Sequence, residues 1–142
     1  MADPQPETEA TVVTALDHVN IRTARVEQLA TFYCEVLGLA RGPRPPFPFG
    51  GAWLYCGDKA TVHLVDAGAA PPAAHDPMTL GLSHFAFSAT GIEAFVDRLR
   101  DRRIAHQVAR LPGRPIAQVN LRDPDGNALH VDFQVAGNGD QP

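Results

Sequence analysis

Cysteine is scarce in this chain of 142 residues, which has only Cys34 and Cys56. Two thiols make no disulfide framework, and their spacing is no metal motif. Both therefore read as free thiols, and the chain is assigned by default to the cytoplasm. A basic excess is also missing: 12 Lys plus Arg stand against 16 Asp plus Glu, for a formal net charge of −4. Without it the electrostatic footprint of a nucleic-acid binder is absent. No apolar run approaches 18 residues, so no membrane helix is expected. The acidic, proline-containing stretch Met1 to Ala10 lacks the basic-then-apolar order of a signal peptide. What is present is ordinary globular composition, 44% hydrophobic and 20% charged, at the length of one domain. A chain this long buries about 68% of its unfolded surface, enough for a core without staples.

Two similar units fill the middle of the chain. Residues 1–14 read as a flexible polar tail, and residues 136–142 as another. The first unit, 15–66, opens with a strand pattern from Ala15 to Arg22. A helix pattern follows, with Val26, Leu29, Ala30, Tyr33, Val36 and Leu37 on one face. Gly38 is placed to end that helix. The prolines and glycines between Arg41 and Gly51 predict irregular chain. Strands Ala52 to Cys56 and Ala60 to Val65 come next, joined by a Gly57-Asp58 turn. Residues 67–81, rich in Ala and Pro, read as a linker.

The second unit, 82–135, repeats the order. Leu82 to Ser88 is strand-like, and a helix carries Ile92, Phe95, Val96 and Leu99 on one face. Thr90 and Glu93 have the spacing of a capping box. Strands Ile116 to Leu121 and Ala128 to Phe133 flank the turn signal Asp123-Pro124-Asp125-Gly126-Asn127. Shifting one unit by 66 lays Leu16 on Leu82, His18 on His84, Val26 on Ile92 and Glu27 on Glu93. A fixed internal period marks repeated architecture.

Histidine follows the repeat. His18 and His63 stand in the first and last strands of unit one, 45 residues apart. His84 and His130 stand in the first and last strands of unit two, 46 apart. Units packed about a pseudo-twofold axis would bring all four together, and imidazole suits Zn, Ni, Cu and Fe. His75 in the linker and His106 after the second helix read as surface residues.

These residues resemble the vicinal oxygen chelate superfamily of glyoxalases, extradiol dioxygenases, epimerases and bleomycin-resistance proteins. The resemblance rests on Leu16-Asp17-His18-Val19, on the helix end Phe32 to Leu39, and on Val62-His63-Leu64-Val65. It continues in Leu82 to Phe87 and in Asp123 to His130. It implies an α+β fold of two βαβββ modules forming a curled, open eight-stranded mixed sheet around a cup-shaped site. It also implies a likeness to homodimeric proteins, and a divalent metal (Fe, Zn, Ni, Mn or Cu, not distinguished by sequence). The metal-ligand positions of the family fall on His18, His63, His84 and His130. One departure is plain: the family usually places Glu where this chain has His130. Asp132, two residues on, points to the same sheet face and offers a carboxylate nearby.

Strand alternation puts Asn20 and Arg22 with His18, and Ala86 and Ser88 with His84. Trp53 pairs with Tyr55 on one face, and Gln118 with Asn120, without a phase for either strand. Tyr55 and Gln118 are candidates to orient a substrate oxygen, and loop residues Arg44 and Arg114 to cover the cup. The leading expectation is a metal-dependent lyase, isomerase or dioxygenase acting on a small oxygen-chelating substrate. The competing expectation is a non-catalytic homodimer that sequesters a small molecule against Trp53, Tyr55, Phe47 and Phe49.

Overall fold

The computed structural model describes residue 11 and residues 14–68 and 82–136. Most of both expected tails, the expected linker beyond residue 68 and His75 lie outside the described residues. The first half of the chain forms β1 (Val19–Thr23), α1 (Val26–Glu35), β2 (Ala40–Gly42), β3 (Gly51–Cys56) and β4 (Lys59–Asp66). The second half forms β5 (His84–Ala89), α2 (Ile92–Asp101), β6 (His106–Arg110), β7 (Ile116–Arg122) and β8 (Ala128–Gln134). Each half is therefore βαβββ, as the repeat predicts. Ile92 of α2 stands 66 positions after Val26 of α1, and Asp101 stands 66 after Glu35.

The strands hydrogen-bond as two open four-stranded sheets, ordered β1-β4-β3-β2 and β5-β8-β7-β6. The first and last strands of each half run parallel, and the other neighbours run antiparallel. This pairing explains the histidine positions. In the second half, Ala86 stands opposite His130 and Ser88 opposite Asp132. In the first, Asn20 stands opposite His63.

Burial follows the period of two that strands impose. On β7 and β8, Ala117, Val119, Leu121, Leu129, Val131 and Phe133 are buried, while Gln118, Asn120, His130 and Asp132 take the opposite face. Leu29, Ala30, Phe32 and Tyr33 make the buried face of α1, and Phe95 and Leu99 that of α2. They join Leu54, Val62, Leu64 and Val119 in one core drawn from both halves. Burying each such leucine or phenylalanine side chain contributes about 1.5–3 kcal/mol.

The halves are also tied by polar contacts. The buried Asp123 carboxylate accepts from the Tyr33 hydroxyl at 2.7 Å. It also takes the backbone N–H groups of Asp125 and Asn127 and the Asn127 amide. The turn signal thus closes on itself and captures a side chain from the other half. Arg25 reaches back to Asp125 and to the Pro124 carbonyl oxygen. Arg98 donates to the Val36 carbonyl oxygen at 2.9 Å, at the end of α1.

Four local expectations need correction. The irregular segment begins two residues late: Arg41 and Gly42 pair with Leu54 and Trp53 in β2. Gly42 permits this because a Cβ there would press on the Tyr55 ring at 2.7 Å. The capping box is not formed. Gly91, left-handed at φ 83°, takes the N-cap position of α2, which moves Thr90 one residue outside it. His18 precedes β1 rather than lying in it. His106 does not lie in irregular chain after the helix: it opens β6, is half-buried, and its ring bonds the Ile104 carbonyl oxygen. Gly38, at φ 81°, ends α1 as expected.

Candidate functional site

The first sheet carries a column of rings. His63 stands opposite Trp53 in register, and their rings stack at 4.0 Å between centroids, 12° from parallel. His18 stacks on the other side of His63 at 3.8 Å, again at 12°. Phe47 tilts against Trp53 at 6.4 Å and stacks on Phe49 at 4.9 Å. The Arg44 guanidinium lies over both phenylalanines, at 5.2 and 5.6 Å. This settles the phase of β3: Trp53 is on the histidine face. Tyr55 follows a bulge at Leu54/Tyr55. Its ring covers Gly42 and its hydroxyl donates to the Pro43 carbonyl oxygen.

The second sheet carries the other histidine pair. His84 and His130 lie 4.9 Å apart between centroids, with planes inclined at 41°. They line an open groove of about 850 Å³ together with Ser83, His106, Gln107, Gln118 and Asn120. That volume is within the usual range for a small-molecule site. Gln118, whose strand the sequence left without a phase, lines this groove beside the histidines. Gln107 and Ser83 belong to the groove without having been singled out. β6 is largely exposed, so no burial alternation in the sequence announced Gln107.

Each of the four histidines has one ring nitrogen against a protein oxygen. His18 Nδ1 meets Asp17 Oδ1 at 2.8 Å, and His84 Nδ1 meets Ser83 Oγ at 3.1 Å. His130 Nδ1 meets Asp132 Oδ1 at 2.7 Å. His63 uses Nε2, toward the Ala60 carbonyl oxygen at 3.1 Å. Among the described residues the second nitrogen of each ring has no hydrogen-bond partner. Metal-binding histidines are held in this way, with one nitrogen anchored and the other presented. Burial, followed by the nearby His18, holds the His63 pKa below its ordinary value. That favours the neutral ring a metal requires.

In kind, then, the donors suit a divalent transition metal. In number they fall short within one chain. The pairs sit on separate sheets, and no group of three or more His, Cys, Asp or Glu side chains is placed to hold an ion among the described residues. The rings of His18 and His63 are nearly parallel, whereas the planes of His84 and His130 are inclined at 41°. Asp132 turns its carboxylate onto His130. No helix among the described residues is long and apolar enough to cross a membrane.

The solved structures that match share this architecture. A glyoxylase/bleomycin resistance protein/dioxygenase domain from Frankia superposes with a TM-score of 0.73. It is 19% identical, covering 87% of this chain and 99% of that one. A lactoylglutathione lyase from Agrobacterium tumefaciens gives a TM-score of 0.64 at 22% identity, covering 87% and 96%. A glyoxalase/bleomycin resistance protein/dioxygenase from Nocardioides gives 0.60 at 21%, covering 93% and 91%. At such identities the likeness is one of fold. No protein of curated function matches the chain. The family model for the Glyoxalase/Bleomycin resistance protein/Dioxygenase superfamily matches residues 15–131. With that match across both βαβββ halves, the chain belongs to the glyoxalase/bleomycin resistance protein/dioxygenase superfamily.

Proposed function

We propose that the chain is a metal-dependent enzyme of the glyoxalase/dioxygenase type, a lyase, isomerase or dioxygenase for a small substrate with two neighbouring oxygens. The observation that carries this reading is the shared state of the four histidines, each anchored through one nitrogen with the other open. His18 and His63 would hold the ion from one side, and His84 and His130 from the other. Because each sheet offers only a pair, the reading includes a homodimer in which one protomer's first sheet faces its partner's second sheet. When bound, the metal supplies Lewis-acid polarisation of the substrate oxygens.

The chain's own residues do the rest. Gln118 and Asn120 offer amide donors and acceptors along the groove wall to orient a substrate oxygen. The core side of the same strands keeps this wall rigid. Trp53 and the loop phenylalanines exclude water from the first-sheet side. His130 replaces the carboxylate usual at that position, so a basic group free to take a carbon-bound proton is lacking there. That weighs against simple glyoxalase I chemistry.

The test is metal analysis of tag-free protein after reconstitution. About one equivalent per chain is expected, falling sharply in His18→Ala. Less than about a tenth of an equivalent, with His18→Ala no different, overturns the reading.

A second reading draws on the ring column. Trp53, Phe47, Phe49 and Arg44 form an aromatic, cation-capped surface suited to sequestering a planar ligand without turnover. Tight stoichiometric binding of such a ligand that chelator leaves unchanged would favour it over the enzyme.

A further inference from the structure

Asp132 stands where register leaves it one main partner. It lies on β8 two residues beyond His130, so both side chains project from the same face. Ser88 and Gln118 flank it on the neighbouring strands. Among the described residues it hydrogen-bonds neither of these, only His130 Nδ1, at 2.7 Å. The two side chains are only 13% and 28% exposed, so water competes poorly for the bond. A carboxylate accepts and does not donate. The hydrogen between them must therefore sit on His130 Nδ1, which in the neutral ring leaves Nε2 with its lone pair. A free histidine side chain favours the opposite tautomer, with the hydrogen on Nε2.

We infer that Asp132 is a positioning residue: it fixes His130 in the Nδ1–H tautomer and presents Nε2 to the groove shared with His84, Gln118 and Asn120. This deepens the metal-site reading above and rests on it for the role of Nε2. It also answers the departure at position 130. The carboxylate usual there has not vanished from this chain. It stands two residues along the strand and acts through the imidazole. Histidine ligands elsewhere are oriented by such outer carboxylates, whose loss lowers metal affinity about 10–100-fold.

The experiment is nitrogen-15 NMR of the histidine rings in metal-free, full-length protein at mildly alkaline pH, followed by zinc titration. In the wild type, His130 should show a hydrogen-bearing Nδ1 and a bare Nε2. In Asp132→Ala it should shift toward hydrogen on Nε2, with zinc affinity lowered about 10–100-fold. Ser88→Ala, which alters a neighbour on the same face, should change neither. A wild-type His130 with its hydrogen on Nε2, or an Asp132→Ala protein with an unaltered tautomer, overturns the inference. The wild-type spectrum decides the point even if the variant fails to fold. If the tautomer behaves as stated while the wild type takes up no zinc, the positioning role stands and the metal reading falls.

Discussion

Asp123 shows how much one side chain can carry. Its two oxygens accept four hydrogen bonds, three from its own turn and one from Tyr33 across the junction of the halves. Hydrogen bonds to charged groups contribute about 1.5–3 kcal/mol each. Tyr33→Phe should therefore destabilise by about 1.5–3 kcal/mol in urea unfolding, while Asp123→Ala, which strips all four, should cost more. Burial first, then the Asp123 charge, raises the Tyr33 pKa well above its ordinary value. The folded state thus keeps its proton at pH values where the unfolded state, titrating near about 10, releases it. Stability is unaffected by this group below that pH and is lost above it, at up to about 1.4 kcal/mol per pH unit. Tyr33→Phe should flatten that alkaline decline, measured as the urea midpoint against pH. The histidine positions were legible in the sequence because the repeat placed them. The Asp123–Tyr33 bond was not. Asp123 read only as a turn former, and no local pattern links positions 90 residues apart.

At the scale of elements, the internal repeat was the strongest signal. The two helices keep the 66-residue offset at both ends, because each must cover a sheet of the same width. What failed were the short edge features. β2 has only three residues, and its composition resembles the proline-rich loop that follows. β6 is largely exposed, so burial imposed no alternation there to read. Helix starts depend on a one-residue choice of cap, and Gly91 displaced Thr90 through backbone conformation that periodicity does not report. Gly51 offers an element-scale prediction. A Cβ there would collide with the Leu64 backbone carbonyl oxygen, and backbone cannot swing aside as a side chain can. Gly51→Ala should separate the start of β3 from β4, lowering the thermal midpoint by several degrees. Gly57→Ala has open space around it. It should cost only the strain of a left-handed turn residue, about 1 kcal/mol.

For the whole molecule, α+β architecture and superfamily membership followed from the repeat and its motifs. The expectation that packing the two units would gather all four histidines holds only in part within one chain. Each sheet gathers its own pair, and the shared core and the Tyr33–Asp123 bond join the halves through their buried sides. The histidine faces are left directed away from that core. Sequence could not separate a site within one chain from a site between two, since the same strand positions serve both. The central claim is that one protomer's His18 and His63 meet its partner's His84 and His130 around one ion. The most direct test is complementation. Chains carrying His18→Ala and His63→Ala are mixed, under subunit exchange, with chains carrying His84→Ala and His130→Ala, and tightly bound metal is counted in the isolated mixed dimer. The account predicts next to no metal in either variant alone and about one ion per mixed dimer, at the one site whose four histidines survive. A mixed dimer as empty as its parents, or parents that bind as the wild type does, would contradict it.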